Sequence, residues 1–228
     1  KGWTITMAQK YPFSTWNYNK LGDFKPEEVD VWAECGLTVT MTERTFYGEH
    51  DITTLVPFLD RAAEKGIKLI ANIEGITNSD ALKLSDEEFE ARVRDVCSII
   101  GDHPALYGFF VGDEPSTKEM LEASVKCLTL QKKVAPELVP FMNISGHTPG
   151  FSEDVFGGKS FFNWMKDLSD ELGHMSFSFS QYNQMVADEY IDMYYESIKA
   201  IVDAGLRDQV KVMIGGAYMK EYWGEGSN

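Results

Sequence analysis

Cysteine, histidine and long apolar runs are scarce in this sequence of 228 residues, which has three cysteines and four histidines. Cys35, Cys97 and Cys127 are widely spaced among apolar neighbours, a pattern that predicts buried small side chains rather than a disulfide framework or a zinc motif. The histidines show neither HxH nor HExxH spacing, which argues against a zinc hydrolase, and we expect no metal or cofactor. No run approaches the roughly 20 apolar residues of a membrane span.

Positively charged residues are also few, since the sequence has 21 Lys and Arg residues but 36 Asp and Glu residues. The net charge of -15 and the pI of about 4.6 argue against nucleic acid or an anionic membrane as a partner. An acidic surface is compatible with a neutral ligand. Aromatic residues, at 13%, are abundant, and many of them fall near the ends of predicted segments.

Apolar segments of strand type alternate with amphipathic segments of helical type along the chain. The helical segments carry end signals, such as an N-cap at Asp51, capping boxes at Ser85 and Ser116, and terminal glycines at Gly36 and Gly66. This alternation predicts an α/β fold with a parallel sheet. The seven predicted strands are residues 3–9, 37–43, 67–75, 105–112, 138–146, 174–182 and 209–218.

Polar and aromatic residues stand at the carboxyl ends of most predicted strands. A closed (β/α)8 TIM barrel collects its functional residues at these ends, whereas an open doubly wound sheet concentrates them at one switch point. We therefore expect residues 1–228 to form a single (β/α) barrel domain of catalytic type, incomplete at the C-terminus because an eighth strand is absent. The strand-end residues are Glu43, Arg44, Asn72, Glu74, Asp113, Glu114, Asn143, Gln181 and Tyr182.

The fourth predicted strand ends in two adjacent carboxylates, Asp113 and Glu114, followed by Pro115. A carboxyl group that is shielded from water beside a second carboxylate has a raised pKa, and it can then act as a general acid near neutral pH. The alternative is that Asp113 or Glu114 caps the next helix, although Ser116 is available for that role.

The segment "HPALYGFFVGDEP", residues 103–115, resembles the fourth-strand motif of the (β/α)8 glycoside hydrolases of clan A and their uncharacterised relatives. The flanking segments "AECGLTVTMTE" and "RAAEKGIKLIAN" resemble their second and third units. The resemblance implies that Glu114 is the acid/base glutamate and that Asp113 contacts the sugar. It also implies that Tyr182 contacts the nucleophile.

The nucleophilic glutamate of that clan has no direct counterpart here. The seventh predicted strand, in "KVMIGGAYMKEYWGEG", has glycines where that glutamate normally stands. Glu221, a few residues further on, is our first choice for the second catalytic carboxylate, and a solvated loop position is its alternative. Glu225, Glu74 and Glu43 are the other choices.

Aromatic side chains near the strand ends predict a carbohydrate site, because sugar rings stack on aromatic faces while polar groups bind the hydroxyls. Each of them could instead belong to the core. These aromatic residues are Trp16, Phe46, Tyr47, Tyr182, Tyr218, Tyr222 and Trp223. The predicted substrate-binding residues are Asp113, Glu43, Arg44, Asn72, Glu74, Asn143, Gln181, Tyr182, Trp16, Tyr218 and Trp223.

The first hypothesis is therefore a glycoside hydrolase that cleaves O-glycosidic bonds of a poly- or oligosaccharide and is secreted, periplasmic or on the cell surface. The second is a non-catalytic carbohydrate-binding barrel or a truncated fragment of a glycosidase. The third, an aldolase or isomerase barrel for a phosphate ligand, depends on Lys220 alone.

Overall fold

The computed structural model describes residues 14–15, 17, 19–145, 153–173, 175–182, 199–200, 202–206 and 210–217. The predicted strand over residues 3–9 and most of the amphipathic segment 188–205 lie outside the described residues.

Eight described strands form two parallel sheets. They are β1 (Val39–Met41), β2 (Thr45–Phe46), β3 (Lys68–Ala71), β4 (Ile73–Glu74), β5 (Leu106–Asp113), β6 (Phe141–Ser145), β7 (Met175–Tyr182) and β8 (Val210–Ala217). The larger sheet has the order β1-β3-β5-β6-β7-β8, and β2 pairs with β4. Every described pairing between these strands is parallel.

The strand order of the larger sheet follows the chain without a reversal. A doubly wound sheet reverses its order at a switch point, so the described strands have the winding of a barrel wall instead. The predicted α/β fold is confirmed, and the six parallel strands form part of such a wall. Closure into a full (β/α)8 barrel remains a prediction.

Six α-helices are described: α1 (Glu28–Glu34), α2 (Val56–Lys65), α3 (Asn78–Ala81), α4 (Asp86–Val96), α5 (Lys118–Val134) and α6 (Phe161–Leu172). Short 3-10 turns cover Ile52–Leu55 and Glu153–Phe156, and a π-turn covers Cys97–Gly101. Among these described helices, none is both long and apolar enough to cross a membrane.

The helix ends confirm most of the predicted signals. Asp51 accepts the N–H of Thr53, the Ser85 and Glu88 side chains form a capping box, and Gly66 ends α2 with a left-handed φ of 69°. The predicted box at Ser116 is wrong, because α5 starts one residue later and its N-cap is Thr117, whose hydroxyl accepts the N–H of Met120.

The apolar core lies mainly between the sheet and the helices, where Leu69, Phe109 and Val111 pack in one large cluster with helix residues. A smaller cluster joins residues of four neighbouring strands on the opposite face of the sheet: Val39, Met41, Ile70, Phe110 and Phe141. β5 is therefore apolar on both faces, as is usual for a parallel strand that is covered on both sides.

The three cysteines differ in their exposure to solvent. Cys127 is buried and Cys97 is half-buried, but Cys35 is exposed, so its predicted burial is wrong. His103 precedes β5 at the amino end of the strand. It contacts Asp60 through Nε2 at 3.1 Å and accepts the N–H of Ala105 at Nδ1, which agrees with a structural role.

Candidate functional site

The candidate site lies at the carboxyl edge of the sheet, where parallel strands deliver their last residues to one side. β2, β4, β5 and β6 end here, and Asn72 stands between β3 and β4. The structure describes six of the predicted site residues at this edge with their side chains, in addition to Glu43: Arg44, Asn72, Glu74, Asp113, Glu114 and Asn143.

Asp113 and Asn143 are brought into direct contact. Their Cα atoms are register partners in β5 and β6, and Asn143 Nδ2 donates a hydrogen bond of 2.7 Å to Asp113 Oδ1. Asn143 is 4% exposed, whereas Asp113 is exposed. The buried amide of Asn143 therefore holds the exposed carboxylate of Asp113 in place.

A β-bulge in β5 makes this contact possible. Phe110 pairs with Phe141, but Gly112 pairs with Met142, so Val111 is an extra residue in the strand. Because side chains alternate between faces, a regular strand would place Asp113 on the face opposite to Phe110. The extra residue restores Asp113 to the face of Phe110, opposite Asn143.

Glu114 follows in a backbone conformation that is rare for its residue type. Its φ is +41°, and it is the only non-glycine residue with a positive φ in the part of the chain that the structure describes. Its N–H donates to the carbonyl oxygen of Asn143 at 3.0 Å. Such strain costs on the order of 1–3 kcal/mol and clusters at functional sites. Since α5 is capped by Thr117, the helix-capping alternative receives no support for Asp113 or Glu114.

Gly112 allows a helix to approach the strand closely just before the carboxylates. A Cβ atom added to Gly112 would lie 2.3 Å from Nδ2 of Asn78 in α3, and Asn78 in turn donates to Ser124 Oγ at 2.9 Å. The strand backbone at Gly112 thus lies directly against a buried side chain of the helical layer.

Arg44, Phe46 and Glu74 form a second group at the ends of β2 and β4. Arg44 Cζ lies 5.3 Å from the centre of the Phe46 ring, and Arg44 Nη1 is 3.9 Å from Glu74 Oε1. Burial raises the pKa of the Glu74 carboxyl and Asp80 raises it further, while Arg44 lowers it. The Nε atom of Arg44 is buried and has no hydrogen-bond partner among the described residues.

Asn72 is 1% exposed and interrupts the predicted strand 67–75. Its N–H donates to Thr42 Oγ1 at 3.0 Å, and its carbonyl oxygen accepts the N–H of Thr45. Because Ala71 and Ile73 pack in the large core cluster, Asn72 faces the other side of the sheet, like Ile70. Its side-chain Oδ1 is buried without a hydrogen-bond partner within the described structure.

The role of Thr42 was missed by sequence reasoning, because nothing in a β-branched strand distinguishes a hydroxyl that holds a neighbouring strand.

Glu43, at the same strand end, binds a loop. Its two carboxylate oxygens accept the N–H groups of Gly22 at 3.3 Å and Phe24 at 2.6 Å. These bonds give Glu43 a structural role in holding the loop before α1.

The two predicted aromatic residues with described side chains have different surroundings. Phe46 is half-buried beside Arg44, and its ring also meets His50 edge to face. Tyr47 packs against the large core cluster under Arg92, and burial together with Asp95 raises its pKa. Phe46 thus belongs to the group at the ends of β2 and β4, whereas Tyr47 packs on the core.

Other predicted residues lie outside the described residues or have undescribed side chains. In the backbone register, Gln181 and Tyr182 of β7 pair with Gly216 and Ala217 of β8, but their side chains are not described. The residues outside the described ranges are Trp16, Tyr218, Lys220, Glu221, Tyr222, Trp223 and Glu225.

A surface concavity of about 580 Å³ lies along α6, with Lys159, Lys166 and Asp167 in its lining, and not at the strand ends. We place the candidate site at the strand ends and not at this concavity, because the polar side chains lie at the strand ends. In the described ranges, no three His, Cys, Asp or Glu side chains are grouped so that they could hold a metal ion.

Solved structures of glycoside hydrolases share the fold of this parallel sheet. The glucosidase from Croceicoccus marinus is 15% identical to this chain with a TM-score of 0.58, and the match covers 92% of this chain and 52% of that chain. This chain therefore spans about half the length of that glucosidase.

Two further structures give the same result. A GH10 endoxylanase from a sugarcane soil metagenome is 10% identical with a TM-score of 0.55, over 90% of this chain and 66% of that chain. The β-glucuronidase from Ruminococcus gnavus is 13% identical with a TM-score of 0.51, over 90% of this chain and 34% of that chain. At these identities the likeness shows a glycosidase-like fold alone.

No family model matches the sequence. No curated protein matches it either.

Proposed function

We propose that this chain is an O-glycoside hydrolase that cleaves a poly- or oligosaccharide, with Glu114 as general acid and then general base. The observation that carries the proposal is the left-handed backbone of Glu114 directly after β5, held by the carbonyl of Asn143. A strained residue persists where the surrounding structure holds it in place, and strain of this kind collects at functional sites.

The position of Glu114 in the sheet also supports the proposed function. Glu114 stands at the carboxyl edge of a parallel sheet, where barrel enzymes hold their catalytic groups. Solved structures of a glucosidase, an endoxylanase and a β-glucuronidase share the fold. We extend the proposal to a single (β/α)8 barrel over residues 1–228 that acts outside the cytoplasm, where large glycans occur.

Carbohydrate binding is assigned to the strand-end residues. In the described part of the site, Arg44, Asn72, Glu74 and Asn143 supply hydrogen-bonding groups, and Phe46 supplies an aromatic face. The proposed second carboxylate is Glu221, with Glu74 as the described alternative, since Glu74 stands at the end of β4 at the same edge of the sheet. Gln181, Tyr182, Trp16, Tyr218 and Trp223 complete the proposed site.

The test compares wild type with Glu114→Gln on aryl glycosides that have either a good leaving group, dinitrophenol, or a poor one, methoxyphenol. A lost general acid matters most for the poor leaving group, so we expect its turnover to fall by about 10²–10⁴-fold and that of the dinitrophenyl substrate by less. The matched control is Glu119→Gln, an exposed carboxylate in the first turn of α5 that should leave both rates unchanged. Equal losses for both leaving groups would contradict the assignment.

The second candidate function is a barrel that binds carbohydrate without cleaving it, or a fragment of a glycosidase. It is favoured by the glycines at the end of β8 and by the coverage of only 52% of the glucosidase. Oligosaccharide binding by calorimetry, equal in wild type and Glu114→Gln, with no turnover of any aryl glycoside, would establish this function instead.

A further inference from the structure

We propose that Asn78 is a positioning residue for Glu114. The side-chain amide of Asn78 lies against the backbone of Gly112 on the helical face of the sheet, and it fixes the turn of the chain that presents Glu114 two residues later. This inference rests on the proposed function of Glu114, because it names a residue on which the placement of that general acid depends. Asn78 acts through the backbone of β5 and is not itself a catalytic residue.

Gly112 and Asp113 face opposite sides of the sheet. Gly112 pairs with Met142, which packs in the large core cluster between the sheet and the helices, whereas Asp113 pairs with Asn143. Because neighbouring residues of a strand alternate between faces, Gly112 faces the helical layer and Asp113 faces the other side. The backbone directly before Glu114 is therefore open to contacts from both sides.

The amide of Asn78 occupies the space where any residue other than glycine would carry its side chain. A Cβ atom added to Gly112 would lie 2.5 Å or less from Nδ2, Cγ and Oδ1 of Asn78. These three atoms belong to one planar group, so the amide as a whole packs against the strand backbone. Close packing of this kind transmits a displacement, because a packed interior has few voids that could absorb it.

The position of Asn78 is fixed by contacts with two other segments. Its Nδ2 donates to Ser124 Oγ in α5 at 2.9 Å, and the Ser124 hydroxyl donates to the carbonyl oxygen of Met120 at 2.7 Å. Asn78 is 3% exposed, and Ser124 is fully buried. At the start of α3, Asp80 Oδ2 accepts the N–H and the hydroxyl of Thr77, at 3.0 Å and 2.7 Å. The start of α3 and the side chain of Ser124 thus hold the amide from two directions.

A second asparagine holds the same turn from the opposite face of the sheet. Asn143 donates from Nδ2 to Asp113 Oδ1 at 2.7 Å, and its carbonyl oxygen accepts the N–H of Glu114 at 3.0 Å. A residue with a strained backbone stays in place only where its surroundings hold it. Asn143 holds Asp113 and Glu114 on one side, and Asn78 prevents the strand from relaxing toward the helices on the other.

The rate of a general acid is sensitive to such a relaxation. The acid must stand within hydrogen-bond distance of the oxygen that it protonates, and a misplacement of about 1 Å by a remote change can lower a rate by about 10²-fold. Loss of the Asn78 amide would open space behind Gly112, and we expect the turn at Glu114 to shift toward it. The loss should appear in kcat, and KM should change little, because the binding groups at the other strand ends stay in place.

The test is a double-mutant cycle between Asn78→Ala and Gly112→Ala, measured with the methoxyphenyl and dinitrophenyl glycosides. Asn78→Ala should lower kcat for the methoxyphenyl substrate by about 10-fold and Gly112→Ala by about 10²-fold, with smaller losses for the dinitrophenyl substrate. The double variant should be faster than Gly112→Ala alone, because removal of the amide makes room for the new Cβ atom. A role in stability alone would change the folded fraction but not kcat per folded molecule or the dependence on the leaving group.

The outcomes separate this inference from the proposed function. A folded Asn78→Ala variant with the kcat of wild type on both substrates, or a double variant no faster than Gly112→Ala, would overturn this inference and leave the role of Glu114 standing. No turnover of either glycoside by wild type would overturn the proposed function and this inference with it.

Ser124→Ala is the milder variant if Asn78→Ala or Gly112→Ala fails to fold. It removes only the hydroxyl that holds the amide, and we expect kcat for the methoxyphenyl substrate to fall by about 3- to 10-fold, with a smaller loss for the dinitrophenyl substrate. The matched control is Thr129→Ala, because Thr129 and Ser124 each donate to the carbonyl oxygen four residues earlier in α5, but Ser124 is the one that accepts the Asn78 amide. Equal kcat in Ser124→Ala, Thr129→Ala and wild type would overturn the inference.

Discussion

At the scale of single residues, Asn143 holds the two carboxylate residues of the candidate site. Asn143 binds Asp113 with its side chain and Glu114 with its carbonyl oxygen, so one buried residue holds both carboxylate residues. The φ of +41° at Glu114 is unfavourable for a side chain with a Cβ atom. This strain is consistent with the catalytic role proposed for Glu114, because strained residues collect at functional sites.

This strain can be measured by comparing Glu114→Gly with Glu114→Ala. Glycine adopts a positive φ without steric cost, so we expect Glu114→Gly to have a free energy of unfolding about 1 kcal/mol higher than Glu114→Ala. Denaturant unfolding gives both values. The control is the same pair at Glu119 in α5, where the order should reverse by about 1 kcal/mol. If the glycine variant is less stable than the alanine variant at both positions, backbone strain at Glu114 is refuted.

The Glu74 carboxyl predicts a dependence of stability on pH. Its pKa is raised in the folded protein, chiefly by burial, so the folded state holds this proton more tightly than the unfolded chain. Stability therefore decreases as the pH rises from the ordinary pKa of glutamate through the folded value, and the loss is complete above that value.

Glu74→Gln removes this titration. At neutral pH we expect the variant to be at least as stable as wild type, because it has no charge to bury at position 74. The difference should shift in favour of wild type as the pH falls to about 4, because the Glu74 carboxyl then takes up a proton and loses its charge. Chemical unfolding at several pH values measures the difference. A difference that does not change with pH would show that the contact of 3.9 Å with Arg44 offsets the burial of Glu74.

At the scale of elements, the connection between β5 and α5 decides how the carboxylates are presented. The sequence contains two similar capping signals, Ser85 with Glu88 and Ser116 with Glu119, but only the first forms a capping box. The backbone of Thr117 is extended, with φ -129° and ψ 159°. The helix therefore begins after Thr117, and the capping role passes to that residue.

Two alanine substitutions test this boundary. Thr117→Ala should lower the free energy of unfolding by about 1 kcal/mol, the usual loss for an N-cap hydroxyl, whereas Ser116→Ala should change it by less than about 0.5 kcal/mol. Thermal or denaturant unfolding of the two variants suffices. The reverse ranking would restore Ser116 as the N-cap.

At the scale of the whole molecule, negative charge is in large excess, with 36 acidic and 21 basic residues. Ion pairs such as Lys118 with Glu122 and Lys199 with Asp203 are exposed and within one helical turn, and pairs of this kind contribute about 0–1 kcal/mol each. Repulsion among the excess charges should therefore outweigh the loss of these pairs when salt screens both.

We accordingly expect the melting temperature at neutral pH to rise as sodium chloride increases from about 0.01 M to about 0.1 M, which shortens the screening length from about 30 Å to about 10 Å. The control is the same comparison near pH 4.6, the calculated pI, where the increase should be smaller. A melting temperature that falls with salt at neutral pH would show that the ion pairs dominate.

The sequence by itself determined the α/β alternation, most helix ends and the strand whose carboxyl end carries the paired carboxylates. These features depend on local chemistry: apolar periodicity, capping side chains and glycines that tolerate a left-handed backbone. The position of Asp113, Glu114 and Asn143 at one edge of the sheet follows from the direction of parallel strands, and the alternation of segments already implied it.

Only the tertiary structure decided what these residues contact. The bulge at Val111 that turns Asp113 toward Asn143, the loop held by Glu43, and the burial of Asn72 Oδ1 without a hydrogen-bond partner among the described residues each depend on a strand or loop that is distant in sequence. A shift of one residue in strand register reverses the face of every following side chain, and register is set by packing between elements, which a single sequence does not display.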